Sequence, residues 1–199
     1  MPMSKEFTER LFPELPAIAE HFGTPFHIYD ETGIRETAHS LKSAFSNLKT
    51  EFREFFAVKA LPNPGIMQIM LDQGFGFDCS SIPELVLSRG VGARGERLMF
   101  TSNNTTVQDF EAAIADGGSI LNLDDITLIE KLPVIPELIS FRYNPGPQRN
   151  GNAIIGNPVE AKYGVSHDQI EEAYRIMRDK GTKRFGLHTM LVSNELDYS

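Results

Sequence analysis

The side chains that could do chemistry in this chain recur at the ends of short apolar runs. They are Lys59, Asp78, Ser102 with Asn103, Asn122, Arg142 and His188. Lys59 is the sharpest case. It closes the run FFAVK at 55–59 and is followed at once by Ala60-Leu61-Pro62-Asn63-Pro64-Gly65. A run this apolar predicts a buried strand, and a lysine at its end has two readings. In one, the ammonium snorkels to the rim while its stem lies on apolar surface. In the other, the amine is partly desolvated, loses its proton easily and condenses with a carbonyl to a Schiff base.

The remaining candidates also carry two readings each. Asp78 ends the next run and either tunes a neighbouring amine or ligand, or caps the turn that follows. Ser81 and Glu84 have the S-x-x-E spacing of a capping box, which accounts for them as a helix start; they can serve a ligand as well. Arg142 suits an anionic or phenolate oxygen, or pairs with one of the many acids here. Residues 101–106 enter a helix, so their N–H groups either bind an anion or are capped internally. Other chemistries are poorly served. Histidines 21, 27, 39, 167 and 188 show no metal-ligand spacing, so no metal is expected. No G-x-S-x-G, G-x-G-x-x-G or Walker pattern is present. Cys79 reads as a small core residue.

The elements that must position these groups alternate between two periods. FFAVK precedes Asn63-Pro64, an N-cap with proline at the first helical position, and Gly74 stands where a helix should end. FGFDCS (75–80) precedes a helix closed by Gly90. RLMFTS (97–102) precedes a Thr105-Thr106 helix start. SILNLD (119–124) precedes a short helix DITLIEKL. LISFRYN (138–144) precedes the Gly/Asn/Pro-rich loop 144–164, long enough to be functional or interfacial. A helix from about 166 to 180 follows, with Ile170, Ala173, Tyr174 and Met177 on one face and Gly181 at its end. RFGLHTML (184–191) is the last strand. Strands at intervals of roughly twenty residues with helices between are βα units of a parallel sheet, either open or closed into a barrel. In a barrel, chemistry comes from the C-terminal strand ends, where these polar residues lie. The first fifty residues differ. They read as a helix PELPAIAEHFG, a strand TPFHIYD, and a helix with Ile34, Ala38, Leu41, Phe45 and Leu48 on one stripe.

Composition sets outer bounds. The 199 residues hold 41% hydrophobic side chains, enough for one sizeable core. The chain carries 27 acidic and 19 basic groups, a net charge of −8, with no basic stripe. Nucleic acid and anionic membrane are therefore poor partners. One cysteine cannot form an internal disulfide, which suits a reducing compartment. No signal peptide or membrane span is read, so the protein is expected to be soluble and cytoplasmic.

At this point the residues resemble a known family. FFAVKALPNPGIM resembles the segment around the cofactor lysine of the fold-type III pyridoxal-phosphate decarboxylases, which include diaminopimelate decarboxylase and the related ornithine and arginine decarboxylases. GFGFDCSSIPEL is similar to that family's second strand with its D-x-x-S-x-x-E-L pattern. FTSNN, LNLDD, FRYNPG, KYG and GLHTMLVS follow in the family's order, over about residues 20 to 195. The resemblance implies an alanine-racemase-like (β/α)8 TIM barrel, present here as about six strands. It implies pyridoxal 5'-phosphate as cofactor, carried by Lys59, with Asp78, Ser81, Glu84, Arg142, His188 and Ser193 around it. The expected activity is decarboxylation of an amino acid, meso-diaminopimelate or a related basic one. A non-catalytic cofactor-binding fragment and a racemase of the same fold type are the alternatives.

Two departures accompany the resemblance. The family's H-x-G-S is Met190-Leu191-Val192-Ser193 here, so Met190 stands where a histidine stacks on the cofactor ring. His188, two residues earlier on the same side of a strand, is the residue that can partly substitute. The chain is also shorter than a complete barrel of about 250 residues. Residues 1–50 are expected to be a lead-in and 51–199 a partial barrel. The last two strands and the family's C-terminal β domain are expected to be missing. Such a fragment alone should be inactive. Its two open sheet edges and apolar surface should drive dimerisation or larger self-association.

Overall fold

The computed structural model describes residues 3–148, 157, 159, 160 and 163–193. Two short helices, α1 (Lys5–Leu11) and α2 (Leu15–Phe22), lead to α3 (Glu31–Ala44). Asp30 caps α3 by accepting from the Gly33 N–H at 3.1 Å, and it is held in turn by Arg10. The expected strand TPFHIYD is not a strand. Residues 26–30 lack regular structure, because no described sheet edge pairs with them.

The sheet begins with β1 (Phe55–Ala57), and the chain then alternates helix and strand: α4 (Pro64–Asp72), β2 (Gly76–Cys79), α5 (Ile82–Gly90), β3 (Leu98–Ser102), α6 (Val107–Ile114) and β4 (Ile120–Leu123). β5 (Leu138–Asn144), the two-residue β6 (Val165–Ser166), α7 (His167–Lys180) and β7 (Arg184–His188) complete it. Local chemistry sets the boundaries. Asn63 Oδ1 accepts from the Ile66 N–H at 3.2 Å with Pro64 next to it, so α4 starts as predicted. Thr106 and Asp109 form a capping box that opens α6. Gly181, at φ 113°, ends α7 in the left-handed conformation that a side chain disfavours. α5 ends at Gly90 as expected, and the left-handed glycine, Gly92, follows two residues later. DITLIEKL forms the expected short helix, as a 3-10 helix over Ile126–Lys131.

All pairings are parallel, and strand order follows chain order: β1-β2-β3-β4-β5, with β7 on the far side of β5 and β6 bridging its end. An order without reversal sends each right-handed crossover to the same face. That is the winding of a barrel rather than of a doubly wound sheet. β1 and β7 do not pair with each other among the described residues, so the barrel stands open at about six main strands.

The core fills the layer between helices and sheet. Phe77, Phe100, Leu121, Leu123, Ile139 and Phe141 from the strands meet Leu85, Phe110, Ala173 and Met177 from the helices. Each fully buried phenylalanine contributes about 1.5–3 kcal/mol of apolar transfer. Because side chains alternate along a strand, this commits the residues between them to the inner face. Among the described residues no helix is long and apolar enough to cross a membrane.

Candidate functional site

The register names the inner face. Ala57 stands opposite Asp78, Thr101 opposite Asn122, Ser140 opposite Gly186 and Arg142 opposite His188. Their outward neighbours, Phe77, Phe100, Leu121 and Phe141, lie in the core. A polar row therefore crosses the sheet from β2 to β7, with Asn122, Asp124, Ser140 and Arg142 all buried.

Hydrogen bonds join this row. Thr101 donates its hydroxyl to Asp78 Oδ1 at 2.9 Å. Asn122 Nδ2 lies 3.4 Å from Thr101 Oγ1 and 3.0 Å from His188 Nδ1. Burial pushes the Asp78 carboxyl above its ordinary range; the Thr101 donor and the Lys59 charge oppose this, and the Glu84 charge adds to it. Burial, reinforced by the Arg142 charge, holds His188 below the ordinary histidine value, so its neutral imidazole is favoured.

Arg142 is fixed from three sides. Nη1 is 3.5 Å from Asp124 Oδ1, Nη2 donates to the Met190 carbonyl at 3.4 Å, and the guanidinium carbon lies 5.1 Å from the centre of the Tyr163 ring. Burial raises the Asp124 carboxyl despite Arg142 beside it.

At the end of β2, Glu84 gathers its neighbours. Oε2 accepts from the Ser80 N–H at 3.0 Å and Oε1 accepts from the Ser81 hydroxyl at 2.9 Å. The predicted capping box is thus altered. Ser81 accepts no backbone bond and instead donates to the Glu84 carboxylate, which sits in the first turn of α5 where negative charge is favoured.

Lys59 departs from expectation in its setting. β1 stops at Ala57, and Val58–Ala60 form a 3-10 turn. Val58 is fully buried, while Lys59 is exposed on the turn rather than half-sunk at the strand end. Its charge nevertheless acts on Asp78. Ser102 accepts from the Thr105 hydroxyl through its carbonyl, and Asn103 is exposed; neither joins the polar row. Ser193 is half-buried. Met190 is 42% exposed, and its carbonyl accepts from Arg142 in the row. Residues 149–156, 158, 161 and 162 of the long loop lie outside the described residues. Thr101 and Asp124 were not singled out from the sequence. Their parity with Asn122, two residues apart on β4 or directly across on β3, is the signal that finds them.

The row fits pyridoxal phosphate by its donor set. It combines an immobilised guanidinium and a neutral imidazole, and the exposed amine of Lys59 stands near enough for its charge to act on Asp78. It also holds a buried acceptor, Asn122 Oδ1, that receives no hydrogen bond among the described residues. Buried acceptors are costly unless a donor reaches them. A planar, anionic carbonyl compound that brings donors of its own matches this face.

Comparison with known proteins agrees with this chemistry. Residues 31–197 match the family model described as "Pyridoxal-dependent decarboxylase, pyridoxal binding domain". The chain is 39% identical over 196 residues to Protein TabA of Pseudomonas amygdali pv. tabaci, covering 98% of this chain and 46% of that protein. It is 34% identical over 185 residues to a diaminopimelate decarboxylase of Methanothermobacter thermautotrophicus, covering 90% of this chain and 43% of that one. It therefore spans just under half the length of these relatives. In three dimensions it is similar to the diaminopimelate decarboxylase of Helicobacter pylori solved with L-lysine, at a TM-score of 0.80 and 23% identity, over 92% of this chain and 48% of that one.

Proposed function

The chain belongs to the family of pyridoxal-binding domains of the pyridoxal-dependent decarboxylases, and on that premise we propose that it forms the cofactor-binding half of an enzyme that decarboxylates an amino acid. The substrate we propose is diaminopimelate or a related basic amino acid. The observation that carries this is one face of one sheet: Lys59 acts electrostatically on Asp78 at one side, and Arg142 and His188 stand opposite each other at the other.

Pyridoxal phosphate, when bound, supplies an electron sink for the pair left behind when a carboxylate departs as carbon dioxide. The chain's own residues do the rest. Lys59 would supply through Nζ the amine that holds the cofactor's carbonyl, and the same atom, when free, would carry a proton. The Lys59 charge acts on Asp78, and the Glu84 charge acts on Asp78 in turn, so these acids face the side of the site where that amine stands. Arg142, locked by Asp124 and Tyr163, offers positive charge to an anionic oxygen without reorganising. His188 presents a neutral ring where Met190 replaces the imidazole of related proteins. Ser81 orients Glu84, and Ser193 lies in the segment after β7. We divide the chain at residue 50, with the partial barrel beginning thereafter. Phe185 and Leu187 of β7, 42% and 61% exposed, support association with a second copy of the chain.

Borohydride reduction in the presence of pyridoxal phosphate tests this reading. The added mass should fall on the peptide containing Lys59 and vanish in Lys59→Ala. Label spread evenly over surface lysines would overturn it.

A further inference from the structure

The inner face holds one chain of hydrogen bonds whose direction can be worked out atom by atom. It runs from Asp78 on β2 through Thr101 on β3 and Asn122 on β4 to His188 on β7. We propose that this chain runs one way only and fixes His188 as its Nε2–H tautomer, with Asn122 as the positioning residue.

The direction starts at Asp78. With Asp78 ionised, a state that burial opposes and that the Thr101 donor and the Lys59 charge support, its carboxylate only accepts, so the single proton of the Thr101 hydroxyl goes to Asp78 Oδ1. The Thr101 oxygen is then left with lone pairs alone. The group facing it must donate, which turns the amide nitrogen of Asn122, not its oxygen, toward Thr101. That nitrogen carries two hydrogens. The second falls on His188 Nδ1 at 3.0 Å, so Nδ1 must carry a lone pair. In a neutral imidazole the proton is then on Nε2. With Asn122 turned over, its oxygen would face a hydroxyl with no proton to share, and His188 would need its proton on Nδ1. The amide orientation and the tautomer are thus one choice, decided three residues away in the network.

The surroundings keep the ring neutral. Arg142 is the charged side chain that acts on His188, and it disfavours an imidazolium. Asp124, which could offset it, is paired with Arg142 instead. The consequence is a histidine whose only donor, Nε2–H, is assigned before any ligand arrives. Its use at the cofactor depends on the proposed function; the tautomer does not.

The test uses the chain without cofactor, labelled with 15N-histidine, and reads the ring nitrogens by long-range proton–nitrogen correlation at neutral pH, with His188 assigned by its loss in His188→Gln. Nδ1 is expected at the position of an unprotonated nitrogen and Nε2 at that of a protonated one. Thr101→Val removes the hydroxyl while keeping the shape, and should shift the tautomer ratio toward Nδ1–H by roughly five- to tenfold, the effect of one neutral hydrogen bond. Nδ1–H as the main wild-type form, or a Thr101→Val spectrum identical to wild type, would overturn the proposal. If the variant fails to fold, the wild-type tautomer decides alone. Failed trapping at Lys59 would sink the functional reading and leave this inference standing, and the wrong tautomer would do the reverse.

Discussion

Arg142 on β5 and Asp124, one residue past β4, hold opposite charges 3.5 Å apart with side chains only 10% and 3% exposed. The pair ties the ends of two adjacent strands together inside the sheet. It also fixes the cation whose charge acts on His188. A pair this deeply buried gains little over a neutral alternative, yet removing one partner strands the other charge.

Asp124→Ala is therefore expected to destabilise the fold by about 3 kcal/mol or more, because Arg142 is left buried and uncompensated. Urea denaturation followed by circular dichroism would measure it. The double change Asp124→Leu with Arg142→Met should restore most of the loss. A double variant no more stable than the single one would show that the charge pairing is not the source.

Acid should reveal two opposing titrations. Burial first, and the Arg142 charge second, hold His188 below the ordinary value of about 6.5. The unfolded chain therefore takes up this proton first as pH falls. The His188 contribution is complete above about 6.5 and is lost as pH drops below it. His188→Gln should thus lose stability less steeply than wild type between about pH 7 and pH 5. Asp78 acts in the opposite sense. Its carboxyl is raised, mainly by burial, so the folded chain keeps that proton longer and the ionised form weakens the fold as pH rises. Asp78→Asn should have the higher unfolding midpoint near neutral pH, with the gap closing on acidification. Parallel acid slopes for His188→Gln and wild type would contradict the first half.

Gly76 sits where β2 passes beneath the Phe55 ring. An added Cβ would meet the Arg97 carbonyl oxygen at 2.7 Å and the Phe55 ring at the same distance. Phe55 can swing aside, but the Arg97 backbone cannot. Gly76→Ala is expected to cost about 1–3 kcal/mol, as overpacking does. Adding Phe55→Leu should recover only part of it. Thermal melting of the three variants would check this, and an unchanged midpoint in Gly76→Ala would show that β2 shifts freely.

Much of the architecture was legible in short windows of sequence. Asn63-Pro64, Thr106 with Asp109, and Gly181 specify helix ends with groups only a few residues apart, so their geometry follows from local bonding. Alternating runs such as LISFRYN committed Phe141 to the core and Arg142 to the opposite face, because side chains in a strand alternate. Asp78, Arg142 and His188 could be placed on that basis. Tertiary structure decided what local signals cannot carry. Whether TPFHIYD became a strand depended on pairing with a sheet edge, and residues 26–30 pair with none among the described residues. Lys59 came to the surface because β1 gave way to a turn at Val58, whose burial depends on the helices packed behind it. The meeting of Asn122 with His188, 66 residues apart, required the register of parallel strands joined by long crossovers. Register is set by packing across the whole sheet, so the polar row it assembles has no signature in any single stretch of the chain.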